Sequence, residues 1–430
     1  MVNHTKSINK GNIIMYTLES EVRTYSRSLP GKFVKAKDSL LYDEDNNSWI
    51  DFLSGAGSLN YGHNPSELVN PLLDYIKDNG VVNSLDLWTK ARFDFLQTFH
   101  RKILAPRELD YKIQFCGPTG TNSVESALKL AKKCTQRNGV ISFSNSYHGM
   151  TCAAMSSSAS FNKRKESYLT PTWISFMPFD GFLENVDSLE FTRQMLTKKG
   201  SGISPPAAFI IELVQGEGGV NIATKKWVQG IASLAKDLGS VLIIDEIQSG
   251  CGRTGKFFSF EHFDIKPDMV CVSKSISGLG LPMSLLLISP ELDIWSPGEH
   301  NGTFRGFNYA FITATAAINS YWDNKNFLKQ VDCNISILEN ELSVLQSKFK
   351  DDLIVRNLGM FAGIEFYNKE YTKKIQKEAF DNGLLIEICG PSSNVIKLLP
   401  SINMSSSILK NGLDILTKSI ESICVLSFNE

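Results

Sequence analysis

Two charged residues come directly after apolar segments that have the length and composition of buried strands. Asp245 ends the segment "SVLIID", and Lys274 follows the segment "DMVCVS". A lysine is almost never fully buried without a partner, so its place at the end of an apolar strand needs a physical reason. The amine either escapes to solvent at the strand tip, joins a structural ion pair, or is needed inside the protein for chemistry.

The spacing of these two residues allows them to meet at one edge of a sheet. The chain between them is long enough for one crossover, and open α/β sheets bind ligands at the carboxyl ends of their strands. Pyridoxal phosphate (PLP) is held by a lysine that forms a Schiff base and by a carboxylate that pairs with the pyridinium nitrogen. Lys274 and Asp245 are therefore candidate PLP residues, with a structural ion pair or a solvated lysine as the alternative.

A candidate phosphate site lies in the segment "FCGPTGTNSVESALKLAKK" (115–133), where glycine, threonine and asparagine precede an amphipathic helix. Free N–H groups at a helix N-terminus bind anions, and glycine lets a phosphate approach the backbone. The segment is not a Walker A loop, because no G-K-[ST] follows. An ordinary turn with an N-cap residue is the alternative.

Three more segments carry polar side chains at strand ends or in a Gly-rich loop. Tyr147 in "NSYHGMT" (145–151) follows an apolar run and could stack on a planar ring. The segment "ELVQGEGGV" (212–220) ends a strand with two glutamates that line a pocket or cap a turn. The loop "GEHNGTFRG" (298–306) carries Thr303 and Arg305, both good anion ligands.

The middle of the chain alternates strand and helix patterns. Amphipathic helical patterns at 123–134 and 225–239 separate short apolar runs, which are typical of strands covered on both faces, as in parallel sheets. The alternation predicts an α/β fold. The predicted strands are "VISFS" (140–144), "AAFIIELV" (207–214), "SVLIIDE" (240–246), "DMVCVS" (268–273) and "SLLLIS" (284–289).

From about residue 320 the pattern changes to that of a smaller α+β domain. Helical stretches at 327–349 and 370–382 alternate with the strand-like segments "MFAGIEFY" and "VIKLL". We predict an N-terminal segment, residues 1–58, that packs against the small domain. A large domain, residues 59–320, and a C-terminal small domain, residues 321–430, follow it.

The composition excludes several classes of function. The formal net charge is −1 and there is no basic stripe, which argues against binding to nucleic acid or to an anionic membrane. No apolar run reaches the ~20 residues of a membrane helix, and residues 1–15 lack the apolar core of a signal peptide. The eight cysteines form no C-x-x-C pair and the six histidines no H-E-x-x-H, so we expect reduced thiols in a cytoplasmic protein and no metal site.

Taken in order, the segments resemble those of the class III (ornithine and 4-aminobutyrate type) aminotransferases, which are PLP enzymes of fold type I. The resemblance implies a mostly parallel central sheet in a large domain plus a smaller α+β domain. It covers nearly the whole chain through "WIDFLSGAGSLNYGHN" (49–64), "GPTGTNSVESALKLA" (117–131), "SYHG" (146–149), "VQGEGG" (214–219), "IIDEIQSGCGRTG" (243–255), "SKSISGLGLPM" (273–283) and "GTFRG" (302–306).

Within this family, the sequence is most similar to the subgroup that makes L-2,4-diaminobutyrate from L-aspartate 4-semialdehyde, with L-glutamate as the amino donor, as in ectoine biosynthesis. The resemblance thus implies a reversible ping-pong aminotransferase. The alternatives are an aminotransferase of the 4-aminobutyrate or ornithine type, an aminomutase with the same cofactor, and a non-catalytic PLP-binding paralogue.

The resemblance also implies roles for single residues. Lys274 carries the PLP Schiff base and moves the proton, and Asp245 keeps the pyridine nitrogen protonated. Thr303 reaches the phosphate of a neighbouring subunit, so the resemblance implies a homodimer or a higher homo-oligomer. The other implied cofactor contacts are Gly120 and Thr121 at the phosphate, Tyr147 on the ring face with His148 beside it, Glu212, and Gln248 at the ring 3-oxygen.

Two departures from the family pattern concern substrate binding. The usual "T-[FY]-G-G-N" reads "TFRGFN" here, with Arg305 in place of a glycine and Phe307 in place of the asparagine. The family's C-terminal arginine, which takes a substrate carboxylate and pairs with the glutamate at Glu217, is Lys397 in this chain. Lysine lacks the bidentate fork of arginine. We predict that Glu217, Arg305 and Lys397 bind substrate, with Arg305 or Lys397 at the α-carboxylate.

Overall fold

The structure is a computed structural model that describes residues 18–159, 167 and 172–426. The expectation that residues 1–15 form no signal peptide lies outside the described residues. The described strands are β1 (Phe33–Lys37), β2 (Leu40–Asp43), β3 (Ser48–Asp51), β4 (Lys112–Gly117), β5 (Val140–Phe143), β6 (Ile174–Met177), β7 (Ala208–Ile211), β8 (Val214–Gln215), β9 (Asn221–Ile222), β10 (Val241–Asp245), β11 (Met269–Val272), β12 (Ser284–Ile288), β13 (Leu353–Leu358), β14 (Phe361–Phe366), β15 (Leu384–Leu385), β16 (Glu387–Cys389) and β17 (Val395–Leu398).

One α-helix in the described residues precedes β1, and the others lie between strands or after β17. These α-helices are Tyr25–Ser28, Ser66–Lys77, Lys90–Phe99, Gly120–Thr135, Cys152–Ser157, Ser188–Thr197, Lys225–Asp237, Asn308–Ala317, Lys325–Lys348, Glu370–Asp381 and Ser406–Leu426. None of the helices in the described ranges is long and apolar enough to cross a membrane.

A seven-stranded sheet forms the centre of the fold, in the order β4-β12-β11-β10-β7-β5-β6. The pairs β11·β10, β10·β7, β7·β5 and β5·β6 are parallel. The prediction of an α/β fold with a mostly parallel central sheet is confirmed. The continuous apolar runs arise because both faces of these strands are buried, as the strands β10 and β11 show at every position.

Strand β12 departs from the parallel pattern that its apolar run was expected to follow. It pairs antiparallel with both β11 and β4. The connection from Ser273 to Met283 explains the difference, because it is shorter than the dozen or more residues that a parallel crossover requires. A tight turn that begins with Lys274 reverses the chain instead.

Helices cover both faces of the central sheet, and two apolar clusters fill the space between them. On one face, the helix Gly120–Thr135 packs Val124, Ala127 and Leu128 against the sheet. On the other face, Trp227 and Ile231 of the helix Lys225–Asp237 join the larger core. The layers therefore fix the N-terminus of the helix Gly120–Thr135 beside the carboxyl ends of the strands.

A third apolar cluster joins the residues around β3 to the helix Ser406–Leu426. Strand β3 pairs in parallel with β15, and Phe52 and Ile50 share this cluster with the helix Ser406–Leu426 and with the sheet β13-β14-β17-β16. This pairing is what the predicted contact between the N-terminal segment and the small domain requires. The boundaries after residues 58 and 320 remain a proposal.

A glycine inside the last helix provides a test of this junction. A Cβ atom added to Gly412 would lie 2.5 Å from the Cζ atom of the fully buried Phe52. Although alanine has a helix propensity ~1 kcal/mol better than glycine, we expect Gly412→Ala to lower the free energy of unfolding by about 1–3 kcal/mol through overpacking. Chemical denaturation measures the change.

The exposed Lys410 on the same helix gives the matched control, because Lys410→Ala is expected to change the free energy of unfolding by no more than about 0.5 kcal/mol. If Gly412→Ala instead increased stability, as propensity alone predicts, the described contact between the N-terminal segment and the last helix would be wrong.

Candidate active site

A cavity of about 430 Å³ opens at the carboxyl ends of β10 and β11. Asp245 is the last residue of β10 and pairs in register with Cys271 on β11, shortly before Lys274. The structure therefore brings the two charged residues to one crevice, as their spacing predicts. The sequence-predicted site residues that line the cavity are Gly120, Thr121, Tyr147, His148, Glu212, Glu217, Asp245, Gln248 and Lys274.

The Lys274 amine points into the cavity and is held by the backbone of an earlier segment. Lys274 has a left-handed backbone with φ of +52°, and its Nζ donates a hydrogen bond of 2.8 Å to the carbonyl oxygen of Ala56. Burial, with a smaller effect from Lys397, lowers the pKa of Lys274 to about 8. The amine is therefore partly unprotonated near neutral pH, which suits a nucleophile and a base.

Asp245 is buried and held by two hydrogen-bond partners. Its Oδ2 lies 2.8 Å from Nδ1 of the buried His148, and its Oδ1 accepts a bond of 3.1 Å from the backbone N–H of Ile247. The backbone N–H of His148 in turn donates to Ser158 Oγ at 2.8 Å. These contacts fix the orientation of the Asp245 carboxylate in the cavity wall.

The helix Gly120–Thr135 presents its N-terminus to the cavity. Thr119 caps it together with Asn122, whose Oδ1 accepts bonds from the Thr119 backbone N–H at 3.1 Å and from Thr119 Oγ1 at 2.8 Å. The first N–H groups of a helix have no partner inside the helix, so those of Gly120 and Thr121 are available for an anion. A side chain at position 120 would place its Cβ 2.8 Å from Ile247 Cδ1, which explains the glycine.

Glu212 and Tyr147 both lie in the wall of the cavity. The Oε2 atom of Glu212 accepts a hydrogen bond of 2.7 Å from the backbone N–H of Tyr147. Burial, and then the charge of Asp245, raises the pKa of Glu212 well above its usual value. Glu212 therefore holds the aromatic residue at the cavity wall, and burial likewise raises the pKa of the Tyr147 hydroxyl.

Gln248 shares an acceptor with Lys274. Its Nε2 donates a hydrogen bond of 2.9 Å to the carbonyl oxygen of Ala56, the same atom that accepts from the lysine. Sequence reasoning missed Ala56, because a backbone carbonyl leaves no trace in residue type. The only related signal is the Gly-rich segment "SGAG" around it.

Lys397 does not line the cavity, although it was predicted to bind substrate. It is fully buried and forms ion pairs with Glu217 and with Glu387, the latter at 3.1 Å. Burial lowers the pKa of Lys397, but the two carboxylates more than offset this, so its pKa lies above its usual value. Glu217 lies in the cavity wall, and Lys397 contacts Glu217 but does not reach the cavity itself.

Glu387 and Tyr25 are two site residues that sequence reasoning missed. Glu387 pairs in register with Lys397 across β16 and β17, and its Oε1 accepts a bond of 2.6 Å from the Tyr25 hydroxyl. A glutamate within the apolar segment "LLIEIC" was the available signal, since a buried acid in a strand needs a cation. Tyr25 carries no corresponding signal in the sequence, because its partner, Glu387, lies 362 residues away along the chain.

Thr303 and Arg305 lie outside the large cavity of their own subunit. Thr303 is exposed, and its carbonyl oxygen accepts a bond of 3.0 Å from Asn83 Nδ2. Arg305 pairs with Asp86 and lines a separate cavity of about 210 Å³ that also contains Arg92. A single subunit thus brings nine of the predicted site residues together and leaves Thr303, Arg305 and Lys397 apart from them.

Residues 24–420 match the sequence profile of the family Aminotransferase class-III. The chain belongs to this family. It is 47% identical over 408 residues to the diaminobutyrate–2-oxoglutarate transaminase of Halalkalibacterium halodurans, covering 94% of this chain and 95% of that protein. It is 46% identical over 411 residues to the enzyme of the same name from Halomonas elongata, covering 94% and 98% of the two chains.

Solved structures agree on the fold. A transaminase from the marine bacterium Virgibacillus superimposes with a TM-score of 0.86 at 18% identity, covering 96% of this chain and 99% of that one. The predicted family, fold type and cofactor are confirmed, and the chain is a PLP-dependent aminotransferase.

The side chains in the cavity fit PLP group by group. Lys274 would supply the amine for the aldehyde carbon, and Asp245 would supply a carboxylate for the pyridine nitrogen; both residues line the cavity. The N–H groups of Gly120 and Thr121 suit the phosphate. Tyr147 can cover a ring face, and Gln248 lies beside Lys274, where it can donate to the ring 3-oxygen. These residue assignments remain proposals.

The lowered pKa of Lys274 predicts how the cofactor-free protein captures PLP. Only the unprotonated amine attacks, so the rate of capture is expected to rise with pH through about 8 and then to level off. Brief incubation at each pH, followed by borohydride reduction and mass spectrometry, measures this rate, with Lys274→Ala as the control. A rate that still rises toward pH ~10, as for an exposed lysine, would contradict the described environment.

Proposed function

We propose that the chain catalyses the reversible transfer of an amino group from L-glutamate to L-aspartate 4-semialdehyde, giving 2-oxoglutarate and L-2,4-diaminobutyrate. The observation that carries the proposal is the 46–47% identity, over nearly the full length, to relatives named diaminobutyrate–2-oxoglutarate transaminase. In the resembling subgroup this product passes to ectoine biosynthesis, and we propose the same use here.

The geometry of the cavity supports a ping-pong reaction. When bound, PLP would supply the electron sink for the amine-bearing carbon of the substrate. The Lys274 amine lies where it can take the proton from that carbon and return it, because its lowered pKa leaves part of it unprotonated. Asp245, which is hydrogen-bonded to His148, would pair with the ring nitrogen of PLP. Glu212, which accepts the backbone N–H of Tyr147, would keep that residue in place to cover the ring.

A second copy of the chain completes the site in this proposal. The segments 82–85 and 306–308 are joined by backbone hydrogen bonds, and around them lies an exposed apolar surface. Trp88, Leu87 and Phe304 are 80%, 67% and 62% exposed, and large exposed apolar patches mark interaction sites. A homodimer that buries this surface would carry Thr303 toward the partner's phosphate, as the family resemblance implies.

We also propose a cytoplasmic location, since the eight free cysteines are compatible with a reducing compartment.

Of the two candidates for the α-carboxylate, the structure favours Arg305. Lys397 is occupied by two carboxylates and lies behind Glu217. Arg305 stands two positions after Thr303, so a dimer that carries Thr303 to the partner's cofactor also carries Arg305 close to the partner's substrate. This contact would cross the subunit interface, which explains why Arg305 is absent from the cavity of its own subunit.

Single amino donors test the substrate assignment. Without any keto acid, L-glutamate and L-2,4-diaminobutyrate are expected to convert the bound cofactor to its amino form, which removes the absorption band of lysine-linked PLP. We expect 4-aminobutyrate and ornithine to react much more slowly. Stopped-flow absorbance measures each half-reaction. Fastest reaction with 4-aminobutyrate or ornithine would keep the aminotransferase chemistry and reject the proposed substrate.

Substitution of Arg305 tests the proposed carboxylate contact. Arg305→Ala is expected to raise the KM for L-glutamate ~10- to 100-fold, the effect of losing a charged hydrogen bond of ~1.5–3 kcal/mol. Steady-state kinetics with the exposed Arg101→Ala as the control measures it. An unchanged KM in Arg305→Ala and also in Lys397→Ala would reject both candidates.

A further inference from the structure

Arg253 is a fully buried arginine whose side-chain hydrogen bonds within the described residues all go to neutral groups. Its Nη1 donates to the carbonyl oxygens of Met360, at 3.1 Å, and of Pro400. Its Nη2 donates to Asn60 Oδ1 at 2.6 Å. A buried guanidinium without a hydrogen-bonded carboxylate is costly, and burial lowers the pKa of Arg253 to about 9. Such an arrangement is retained where the contacts have a use.

Asn60 extends the contacts of Arg253 to the turn that contains Lys274. Its Nδ2 donates to the Cys251 carbonyl at 3.0 Å, and its backbone N–H donates to Ser275 Oγ at 3.1 Å. Ser275 Oγ then donates to the carbonyl oxygen of Gly57 at 2.9 Å. A continuous buried network therefore runs from Arg253 to the residues on either side of the contact between Lys274 and Ala56.

Both sides of that contact are in a strained conformation. The segment 54–57 has four consecutive positive φ values, which are +47°, +55°, +56° and +81°, and Lys274 has φ of +52°. For residues other than glycine, this region costs of order 1 kcal/mol or more each, so it persists only where surrounding contacts enforce it. The network of Arg253, Asn60 and Ser275 supplies such contacts on both segments.

We propose that Arg253 and Asn60 are positioning residues that hold the Ala56 carbonyl as the resting acceptor for the Lys274 amine when the amine is not attached to the cofactor. An amine released inside a cavity needs a nearby acceptor to keep its place. The Ala56 carbonyl is that acceptor. Ser275, which follows Lys274, bonds the carbonyl of Gly57, which follows Ala56, and so holds the two segments together. The inference rests on the proposed role of Lys274.

The test measures the pKa of Lys274 in the cofactor-free protein, from the pH dependence of its acylation by a small reagent, quantified by peptide mass spectrometry. A hydrogen bond to the ammonium favours the charged form. Ser275→Ala and Arg253→Met are therefore expected to lower this pKa by ~1 unit, and Arg253→Lys by less. The other charged groups near the amine are Lys397, Glu217, Glu387 and Asp245, and none of these is altered.

The half-buried Arg107, which bonds Glu261 and the Ile103 carbonyl, provides the matched control. Arg107→Met is expected to lower the melting temperature without moving the Lys274 pKa. If Ser275→Ala and the Arg253 variants also lower only the melting temperature, their role is structural and the proposal is wrong. Should Arg253→Met fail to fold, Ser275→Ala and Arg253→Lys decide. Wild-type protein that attaches PLP elsewhere than Lys274 would instead overturn the proposed site itself.

Discussion

A reactive lysine amine inside a protein has to be desolvated and still be held in a fixed position. The arrangement of the segments around Lys274 depends on these two requirements. Burial lowers the pKa of Lys274 to about 8, and one backbone carbonyl, that of Ala56, receives its hydrogen bond. The strand end that carries the lysine belongs to the large sheet, whereas the carbonyl belongs to the N-terminal segment. Neither segment could position the amine alone.

Charge around the cavity follows from the same constraint. Asp245 is held by His148, Glu212 is raised in pKa by burial, and Lys397 lies between Glu217 and Glu387. Each of these ionisable groups at the cavity therefore has a hydrogen-bond or ion-pair partner, or a raised pKa that favours its neutral form. Lys397 stands where the family resemblance implies an arginine. It is not available to bind a substrate carboxylate, because Glu217 and Glu387 already pair with its amine.

Much of the fold and part of the site could be predicted from the sequence. The apolar runs that end at Asp245 and Lys274 revealed the sheet edge, since apolar patterning and residue spacing are local properties of the chain. The direction of β12 was missed because an apolar run is the same for either strand direction. The contact of Lys274 with the Ala56 carbonyl and that of Tyr25 with Glu387 were missed because each joins segments that are distant in sequence, and the first also involves a backbone atom.

The site at which PLP attaches tests the central claim most directly. The holoenzyme is reduced with borohydride and digested, and the labelled peptide is identified by mass spectrometry. We expect the label on Lys274 alone. Lys274→Ala is expected to fold with an unchanged melting temperature in the absence of cofactor but to carry no label. A label on another lysine, or full labelling of Lys274→Ala, would contradict it.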